Sequence, residues 1–399
     1  MKAVVLAAGR GTRLAPLTDS RPKPLVPVGG RPLLDRVLDA ASGHVDGFVV
    51  VVGYRGQQVV DHVGDTHAGV PVEFVEQDER AGTAHAVAQA RPAIDDRFLV
   101  LNGDVVVDEE IVGALASADG HAMAATSVDD PGNYGVVEVD DGSLDTLVEK
   151  PTDPPTNLAN IGLYAFDPSI FDRIERVDRS ERGEYELTDA VAAVAGEEGV
   201  TVVEHDGRWL DVGYPWDVLA ATEALLGDER RRIDGDVDED ATLEGRVVVE
   251  SGATIRERTT IEGPVVVKSG ADVGPGAYVR GASVVGEGCH VGHGVEVKNS
   301  VLFADTNVAH LSYVGDSVLG SNVNVGAGTS VANLRHDGET VAMQIKGERV
   351  DSGRRKLGVV CGDGAKTGIN TSLNAGVKLP TDHATRPGAA VLADPGENA

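Results

Sequence analysis

The stretch VESGATIRERTTIEGPVVVKSGADV, residues 249–273, carries an aliphatic side chain at every sixth position. Eleven consecutive positions keep this period: Val237, Leu243, Val249, Ile255, Ile261, Val267, Val273, Val279, Val285, Val291 and Val297. Phe303 continues the phase, which slips near Ala309 and resumes at Tyr313, Leu319, Val325, Val331, Cys361, Thr367, Leu373 and Leu379. A hexapeptide period is typical of short parallel strands stacked as a β-helix, with one aliphatic residue per strand in a central column. The alternative, a β-sandwich, would have to reproduce the spacing by coincidence.

The chain before this region has a different pattern. Short β-rich runs such as KAVVLAA, GFVVVVG and RFLVLNGD alternate with helical stretches such as RPLLDRVLDAAS. This alternation predicts an α/β domain with a mostly parallel sheet. Ligands of such sheets bind beyond the carboxyl ends of the strands, where AAGRGTR and LNGD both lie. We therefore predict an α/β domain at 1–230, a linker at 231–236, a β-helix at 237–385 and a tail at 386–399.

The chain is strongly acidic, with 64 acidic against 35 basic residues and a formal net charge of −29. The excess is spread along the chain, and arginine far outnumbers lysine, which fits a halophilic protein. A nucleic-acid partner is not expected, because phosphate backbones require clustered cations over a broad face. Two cysteines are too few for a disulfide framework, so we interpret them as buried thiols in a reducing compartment. We expect a cytoplasmic protein without a membrane partner, since no apolar run approaches the ~20 residues that span a bilayer.

The first 36 residues depart from this acidic balance, with seven cations against two anions. Gly9 and Gly11 allow backbone N–H groups to approach an anion closely, and Arg13 and Lys23 supply positive charge. A dinucleotide fingerprint is excluded because the third glycine is absent from its expected place. The segment therefore predicts a phosphate-binding loop.

The pattern LAAGxGTRLxPLTxxxPKPLxPV resembles that of sugar-1-phosphate nucleotidylyltransferases. Further matching motifs follow in the family's order over about 225 residues: QDERAGTAHAV (77–87), VLNGD (100–104), YGVVE (134–138), VEKP (148–151), NIGLY (160–164), EYELTD (184–189) and WLDVG (209–213). The resemblance implies a Rossmann-like nucleotidyltransferase domain. It also implies that a sugar-1-phosphate oxygen attacks the α-phosphate of UTP or another nucleoside triphosphate, with pyrophosphate as the leaving group. The nucleophile is already an anion, so positioning and charge neutralisation do most of the catalysis.

The same resemblance assigns roles to individual residues. Arg13 would stabilise the triphosphate, and Lys23 would bridge phosphates at the reaction centre. The implied nucleotide-binding residues are Ala8, Gly9, Gly11, Gln77, Gly82 and Thr83. The implied sugar-binding residues are Gly135, Glu149 and Asn160, with Lys150 as a further candidate. Asp104 and Asp211 would hold Mg²⁺, which prefers carboxylate oxygens and water; the structural alternatives are a helix cap for Asp104 and a turn for Asp211.

The segment HLSYVGDSVLGSNVNVGAGTSVANLRHDG, residues 310–338, resembles the acetyltransferase half of the bifunctional N-acetylglucosamine-1-phosphate uridylyltransferase/glucosamine-1-phosphate acetyltransferases. His310, Tyr313, Asn324 and Asn333 fall at that family's spacing. An amino sugar is largely an ammonium ion at pH 7, and a histidine with a pKa near ~6.5 is suited to remove its proton. The resemblance implies acetyl-CoA as co-substrate, a left-handed β-helix and a homotrimer with the acetyl site between subunits.

One feature departs from the family pattern. Glu339 and Ala342 stand where cations that bind the sugar phosphate are expected, and Lys346, Arg335 or the run 354–356 are the candidate substitutes. We predict an enzyme that makes UDP-N-acetylglucosamine or a related nucleotide sugar and acetylates an amino-sugar-1-phosphate. The alternatives are a glucose-1-phosphate thymidylyl- or uridylyltransferase whose β-helix is only structural or regulatory, and a scaffold with an inactive N-terminal domain.

Overall fold

The computed structural model describes residues 1–395 and divides into two compact units. Unit 1 comprises Met1–Arg10, Pro22–Leu25 and Leu33–Asp211. Unit 2 comprises Gly11–Arg21, Val26–Pro32 and the chain from Val212 onward. The glycine-rich N-terminal loop is therefore divided, since its residues 11–21 group with the β-helix.

The first part of the chain alternates strands and helices, as the sequence predicts. The strands are β1 (Lys2–Ala7), β2 (Pro27–Val28), β3 (Arg31–Pro32), β4 (Gly47–Val52), β5 (Thr66–His67), β6 (Val70–Glu76), β7 (Phe98–Asn102), β8 (Val105–Val107), β9 (Ala122–Ser127), β10 (Gly135–Asp140), β11 (Ser143–Glu149), β12 (Leu158–Phe166), β13 (Thr201–Glu204) and β14 (Trp209–Asp211). The helices are α1 (Leu33–Ser42), α2 (Gly56–Val63), α3 (Thr83–Gln89), α4 (Glu109–Ser117), α5 (Ile170–Ile174), α6 (Leu187–Glu197) and α7 (Pro215–Leu226). Four 3-10 turns accompany them in the described chain: Thr12–Leu14, Lys23–Leu25, Arg91–Ala93 and Pro131–Asn133.

Unit 1 is built on a ten-stranded sheet with the order β10-β11-β13-β9-β12-β7-β1-β4-β6-β5. Strands β7, β1, β4 and β6 are parallel, as predicted, whereas β12 runs antiparallel to both β7 and β9. Alternating side chains of β1 enter two cores: Val4 packs with α3, α5 and α6, while Ala3 and Val5 pack with α1, α2 and α4. Helices thus cover both faces, and the predicted α/β class is confirmed.

Unit 2 is dominated by short stacked strands. They are β15 (Arg232–Ile233), β16 (Asp236–Val237), β17 (Thr242–Glu244), β18 (Val247–Val249), β19 (Thr254–Ile255), β20 (Thr260–Glu262), β21 (Val265–Val267), β22 (Asp272–Val273), β23 (Tyr278–Arg280), β24 (Ser283–Val285), β25 (His290–Val291), β26 (Glu296–Lys298), β27 (Val301–Leu302), β28 (Asn307–Val308), β29 (Tyr313–Gly315), β30 (Val318–Leu319), β31 (Asn324–Val325), β32 (Ser330–Val331), β33 (Ala342–Ile345), β34 (Glu348–Asp351), β35 (Val360–Cys361), β36 (Ser372–Leu373), β37 (Lys378–Leu379) and β38 (Ala390–Val391). From β15 to β32 every third strand pairs in parallel, and β35 to β38 extend two of the three resulting sheets. The sheets are β15-β18-β21-β24-β27-β30-β35-β37, β16-β19-β22-β25-β28-β31 and β17-β20-β23-β26-β29-β32-β36-β38. This is the predicted left-handed β-helix, with α7 packed against β27 and β30.

The predicted central column is confirmed from Val237 to Val297 and again at Leu319, Val325 and Val331, whereas the predictions of Phe303 and Tyr313 are each wrong by one residue. The inward side chains after Val297 are Leu302, Val308, Val314, Leu319, Val325 and Val331. The coil turns after Val297 and after Val314 are five residues long instead of six, and each contains a residue with positive φ, Asn299 (47°) or Asp316 (49°). Phe303 and Tyr313, predicted for the column, consequently lie outside it, and the slip that the sequence places near Ala309 occurs in these two turns.

The limits of the β-helix also differ from the sequence prediction. Segment 231–236, predicted as a linker, contributes β15 and the start of β16 to the first coil. Segment 386–399, predicted as a tail, contributes β38, which pairs with β36, and residues 396–399 lie outside the described chain. The interruption after Val331 contains the antiparallel β33–β34 hairpin.

The two cysteines are buried thiols, as predicted. Burial raises the pKa of both Cys289 and Cys361 to about 12, so both are protonated and unreactive at neutral pH. Within residues 1–395, every helix is too short or too polar to cross a membrane.

Candidate active sites

The predicted phosphate-binding residues of unit 1 lie beyond the carboxyl ends of parallel strands. Ala8 and Gly9 directly follow β1, and Asp104 follows the neighbouring β7. Lys23, in a 3-10 turn, donates from Nζ to Asp104 Oδ2 at 2.6 Å, and its side chain is only 10% exposed. The structure therefore brings together the predicted reaction-centre cation and one predicted Mg²⁺ ligand.

The second predicted Mg²⁺ ligand lies on the adjacent strand. Strand β14 is antiparallel to β8, and Asp211 pairs with Val105, the residue that follows Asp104. The backbone of Asp211 therefore lies opposite the residue next to Asp104. No group of three or more His, Cys, Asp or Glu side chains suited to a metal occurs in residues 1–395. A pair of carboxylates fits Mg²⁺, which usually takes one or two from the protein and completes its shell with water and substrate phosphate.

The predicted base-binding residues form a compact group at the start of α3. Gln77 is buried, and its Nε2 donates to the carbonyl of Gly82 at 3.1 Å, which orients the amide. Gly82 has φ of +114°, and a Cβ there would lie 2.3 Å from the carbonyl oxygen of Tyr185, so only glycine fits. The Thr83 hydroxyl accepts from the backbone N–H of Leu187 at 3.0 Å and thereby ties α3 to the start of α6.

The predicted sugar-binding residues also lie together. Gly135 pairs with Glu149 across β10 and β11, and a Cβ on Gly135 would lie 3.1 Å from Glu149 Oε2 and 3.5 Å from Asn160 Cβ. The absence of a side chain at Gly135 leaves a gap between a carboxylate and an amide. Lys150 Nζ lies 3.8 Å from Glu149 Oε1, and Arg182 lies 3.3 Å from the same oxygen.

Two residues near the sugar-binding group were missed by the sequence analysis. Tyr164 OH accepts from Asn160 Nδ2 at 2.7 Å, across an irregularity in β12, and burial raises the pKa of Tyr164. The motif NIGLY contained the tyrosine, but only the irregular strand shows that it orients the asparagine. Arg182 lies outside every motif that the sequence analysis used. It could not be predicted because it comes from a loop far from Glu149 in the chain.

Arg13 belongs to unit 2. Gly11 has a left-handed backbone (φ 65°) and starts the 3-10 turn Thr12–Leu14 that contains Arg13. The Arg13 guanidinium lies 4.9 Å from the ring centroid of Tyr214, which stacks on Trp216 at 4.7 Å at the start of α7. An aromatic pair thus supports the predicted triphosphate-binding cation.

The β-helix brings part of the predicted acetyltransferase set together. Asn333 Nδ2 donates to Tyr313 OH at 3.1 Å and to the Asp316 carboxylate. Asn324 lies on a different sheet, where its Oδ1 accepts from Asn307 at 3.1 Å. His310 is exposed in the turn between β28 and β29, at the corner between the sheet of Asn324 and the sheet of Tyr313.

Three charged residues next to Tyr313 were missed. Tyr313 points out of the coil because Val314 takes the inward position, and Arg280 and Lys298 occupy the same outward register as Gly315 on the two preceding coils. Lys298 Nζ donates to Asp316 at 2.6 Å, and burial together with the Asp316 and Glu296 carboxylates raises the pKa of Tyr313. The hexapeptide repeat could have predicted that Arg280 and Lys298 align beside the strand of Tyr313, but only if the five-residue turns had been placed correctly.

The suggested substitutes for the missing cations are arranged differently. Arg335 pairs with Asp337 and lowers the pKa of that carboxyl to about 2. Arg354 pairs with Glu223 on α7. Glu339 is exposed, and Ala342 begins the β33 strand of the hairpin. Arg280, which pairs with Glu296, and Lys298, which pairs with Asp316, are the cations that share a coil register with the strand of Tyr313.

Comparisons with known proteins cover both halves of the chain. A family model described as nucleotidyl transferase matches residues 2–227, and one described as GMPPB C-terminal domain matches residues 261–384. A bifunctional protein GlmU from Methanocaldococcus jannaschii is 43% identical over 380 residues, which cover 95% of this chain and 92% of that protein. A bifunctional sugar-1-phosphate nucleotidylyltransferase/acetyltransferase from Sulfurisphaera tokodaii is 36% identical over 403 residues, covering 99% and 98%. A crystal structure of UDP-glucose pyrophosphorylase with UDP-glucose superposes with a TM-score of 0.52 at 23% identity, covering 57% of this chain and 99% of that one, and shows the fold alone.

Proposed function

This chain belongs to the nucleotidyl transferase family, in the branch of bifunctional nucleotidylyltransferase/acetyltransferases, and we propose that it makes UDP-N-acetylglucosamine from UTP and N-acetylglucosamine-1-phosphate. A phosphate oxygen of the sugar attacks the α-phosphate, a P–O bond forms to the sugar phosphate, and pyrophosphate leaves. The observation that carries this proposal is the Lys23–Asp104 ion pair at the edge of the sheet where β1 and β7 end. Lys23 neutralises charge on the phosphates, and Arg13 holds the triphosphate.

The remaining unit 1 residues bind the two substrates. Ala8, Gly9 and Gly11 contribute backbone N–H groups to the phosphates, and Gln77, Gly82 and Thr83 meet the base. Gly135, Glu149 and Asn160 hold the sugar. Asp104 and Asp211 hold Mg²⁺, which when bound neutralises phosphate charge.

Replacing Asp104 by Asn tests this first activity. The substitution removes one carboxylate and unpairs Lys23, so we expect pyrophosphate release to fall at least about 100-fold, in line with the loss of a charge-stabilising group. Pyrophosphate is measured with UTP and N-acetylglucosamine-1-phosphate, and with dTTP and glucose-1-phosphate to test the alternative substrates. Wild-type turnover in D104N would contradict the metal assignment, and turnover with glucose-1-phosphate alone would favour the thymidylyltransferase alternative.

The β-helix is proposed to transfer an acetyl group from acetyl-CoA to an amino-sugar-1-phosphate. His310 takes a proton from the ammonium and passes it to solvent, and the freed amine forms a C–N bond to the thioester carbonyl carbon. As the C–S bond breaks, the nitrogen gives up a second proton through His310 to the leaving thiolate, so that the products are the neutral amide and free CoA thiol. Arg280 and Lys298 bind the sugar phosphate, and Tyr313, Asn324 and Asn333 bind the sugar or the acetyl group. The observation that supports this site is the joining of Tyr313 and Asn333 through one amide group beside two cations.

Replacing His310 by Ala tests the second activity. We expect release of free CoA thiol to fall about 100-fold or more, because general-base catalysis contributes typically 10²–10⁴-fold. Thiol release is measured with glucosamine-1-phosphate and then galactosamine-1-phosphate, while pyrophosphate release from the same preparation serves as the control. Equal thiol release by wild type and H310A would contradict the assignment of His310, and its absence in the wild type would leave the β-helix as a structural element.

The same family membership supports a proposal for the oligomeric state and the cellular compartment. We propose a cytoplasmic homotrimer whose acetyl site lies between neighbouring subunits. Sedimentation in high salt tests the trimer, since a monomer with full thiol release would contradict a site shared between subunits.

A further inference from the structure

Unit 2 contains a partly buried contact between the glycine-rich loop and the β-helix. Arg21 donates from one terminal nitrogen to Asp363 Oδ2 at 2.5 Å and to Ser321 Oγ at 2.9 Å, and Ser20 Oγ donates to the same Asp363 oxygen at 2.5 Å. The Arg21 guanidinium also lies 4.9 Å from the ring centroid of Phe303. Phe303, Ser321 and Asp363 together form what we name the Arg21 socket.

The β-helix itself shapes this socket. Phe303 donates its N–H to Leu319 on the next coil, and Gly364 donates to Ser321, so the three socket residues stand on three successive coils. The backbone N–H of Ser321 donates to Asp363 Oδ1 at 2.8 Å, which fixes the carboxylate and directs its other oxygen to Arg21. The Arg21 and Asp363 side chains are each 18% exposed, so the pair is largely shielded from water. This pair therefore differs from an exposed ion pair, which contributes little.

The loop held by the socket also carries Arg13. Apart from the 3-10 turn Thr12–Leu14, residues 11–21 contain no helix or strand. The Thr18 hydroxyl donates to the carbonyl of Gly11 at 2.8 Å and closes the loop, while Leu14 and Leu17 are fully buried. A loop closed in this way transmits a displacement at Arg21 to Arg13.

We infer that the Arg21 socket is a positioning site for nucleotidyl transfer, because it fixes the loop that presents Arg13 to the triphosphate. This inference rests on the proposed nucleotidyl transfer, and it makes the β-helix a contributor to a reaction assigned to the other half of the chain. Arg21 and Asp363 act through Arg13 and not on the substrate. Binding geometry is sensitive to such support, since a displacement of ~1 Å can cost about 100-fold in rate.

The test compares D363N with a matched control on the same β-helix. Glu250 accepts from Lys268 Nζ at 2.7 Å and from the backbone N–H of Ser269 at 3.1 Å, with both charged side chains 23% exposed, so E250Q removes an equivalent carboxylate. We expect D363N to lower kcat for pyrophosphate release about 10- to 100-fold. We expect E250Q to stay within about twofold of wild type, since distant sites with no shared partner behave independently. Thiol release from acetyl-CoA and the thermal unfolding midpoint are measured on both variants.

Three further readouts separate positioning from a general loss of stability. Amide hydrogen exchange of residues 11–21 should be faster in D363N and unchanged in E250Q. R21Q should reproduce the loss of kcat, and the double variant R21Q/D363N should be no worse than the more damaged single variant, because both remove one contact. Restoring the charge with R21K should recover part of kcat.

The inference is overturned if D363N keeps the wild-type kcat, or if E250Q loses as much kcat as D363N. Unchanged exchange of residues 11–21 in D363N would overturn it as well. If the wild-type protein itself releases no pyrophosphate from UTP and N-acetylglucosamine-1-phosphate, the proposed function fails, and the exchange comparison alone decides whether the socket restrains the loop.

Discussion

Asp316 is a carboxylate that is only 2% exposed and accepts from three side chains. Its donors are Lys298 Nζ at 2.6 Å, Asn299 Nδ2 at 3.1 Å and Asn333 Nδ2. A carboxylate can only accept, so it forces the Asn333 amide to turn its NH₂ group inward. The carbonyl oxygen of Asn333 is then the group oriented for a donor such as an amine or a hydroxyl.

Replacing Asp316 by Asn should therefore lower the rate of acetyl transfer. Asp316 is not itself proposed to bind substrate and acts through Asn333 and Lys298. The neutral amide no longer fixes Asn333 and leaves Lys298 without its counter-ion, so we expect thiol release to fall about 10- to 100-fold, as for other positioning losses. Removing one partner of a buried ion pair also destabilises by about 3–5 kcal/mol, which thermal unfolding would detect.

The control for this substitution is D234N, which removes the carboxylate of the exposed Arg232–Asp234 pair on the first coil. We expect wild-type thiol release from D234N. If D316N releases thiol at the wild-type rate, acetyl transfer does not depend on the orientation that Asp316 imposes on Asn333.

Residue-level prediction from the sequence succeeded where a motif keeps its residues close in the chain or at strand ends. Gly9 and Asp104 lie at one edge of the sheet because the parallel strands β1 and β7 end there, a rule that needs only the strand assignments. The pairing of Lys23 with Asp104 depends in addition on the 3-10 turn Lys23–Leu25. Arg280 and Lys298 were missed because they are 15 or more positions before Tyr313, and only the stacking of coils brings them into one row. The interactions of Thr83 with Leu187 and of Asn160 with Tyr164 depend on side-chain geometry that no spacing encodes.

At the level of elements, each short strand of the β-helix depends on its inward residue. Ile261 on β20 is fully buried in the column, and I261A should destabilise the protein by about 2–5 kcal/mol through lost transfer energy and an unfilled cavity. Ile233 on β15 is 37% exposed, so I233A provides a control with the same change of side chain and a much smaller expected effect. Unfolding followed by circular dichroism measures both variants, and equal losses would contradict the central-column description.

The same elements show where periodicity stops being informative. From Val237 to Val297 eleven aliphatic positions at an unbroken spacing of six fix the phase, even across the runs Val247–Val249 and Val265–Val267, and the prediction is confirmed. In the run Val301–Phe303, three apolar residues stand together, and either Leu302 or Phe303 could continue the pattern. Because the turn after Val297 has five residues, Leu302 takes the inward position and Phe303 points out of the coil. Phe303 is nevertheless buried, with the Arg21 guanidinium over its ring. Strand direction is similarly invisible to a pattern of buried residues, so the antiparallel β12 was not predicted.

At the scale of the whole molecule, the net charge of −29 should make stability depend on salt. Repulsion among exposed carboxylates opposes the compact state, and the screening length falls from about 10 Å at 0.1 M salt to about 3 Å at 1 M. We expect the unfolding temperature to rise by several degrees or more between these concentrations of KCl, and pyrophosphate release to rise with it. A temperature that stays constant or falls would contradict the halophilic interpretation.

The division of the N-terminal loop between the two units also bears on how such proteins can be recombined. A gene fusion made near residue 230, where the sequence changes character, would pair Arg21 of one parent with position 363 of another. With differing parents, exchange would preserve the contact only if residues 11–21 and 26–32 were transferred together with the β-helix, although they lie about 200 positions away in the chain. Natural or engineered chimeras of this architecture should therefore be compatible only when both parents carry the same acid and base at these two positions. The segments that must be exchanged together are therefore those in contact in the folded protein, and they are not contiguous in the gene.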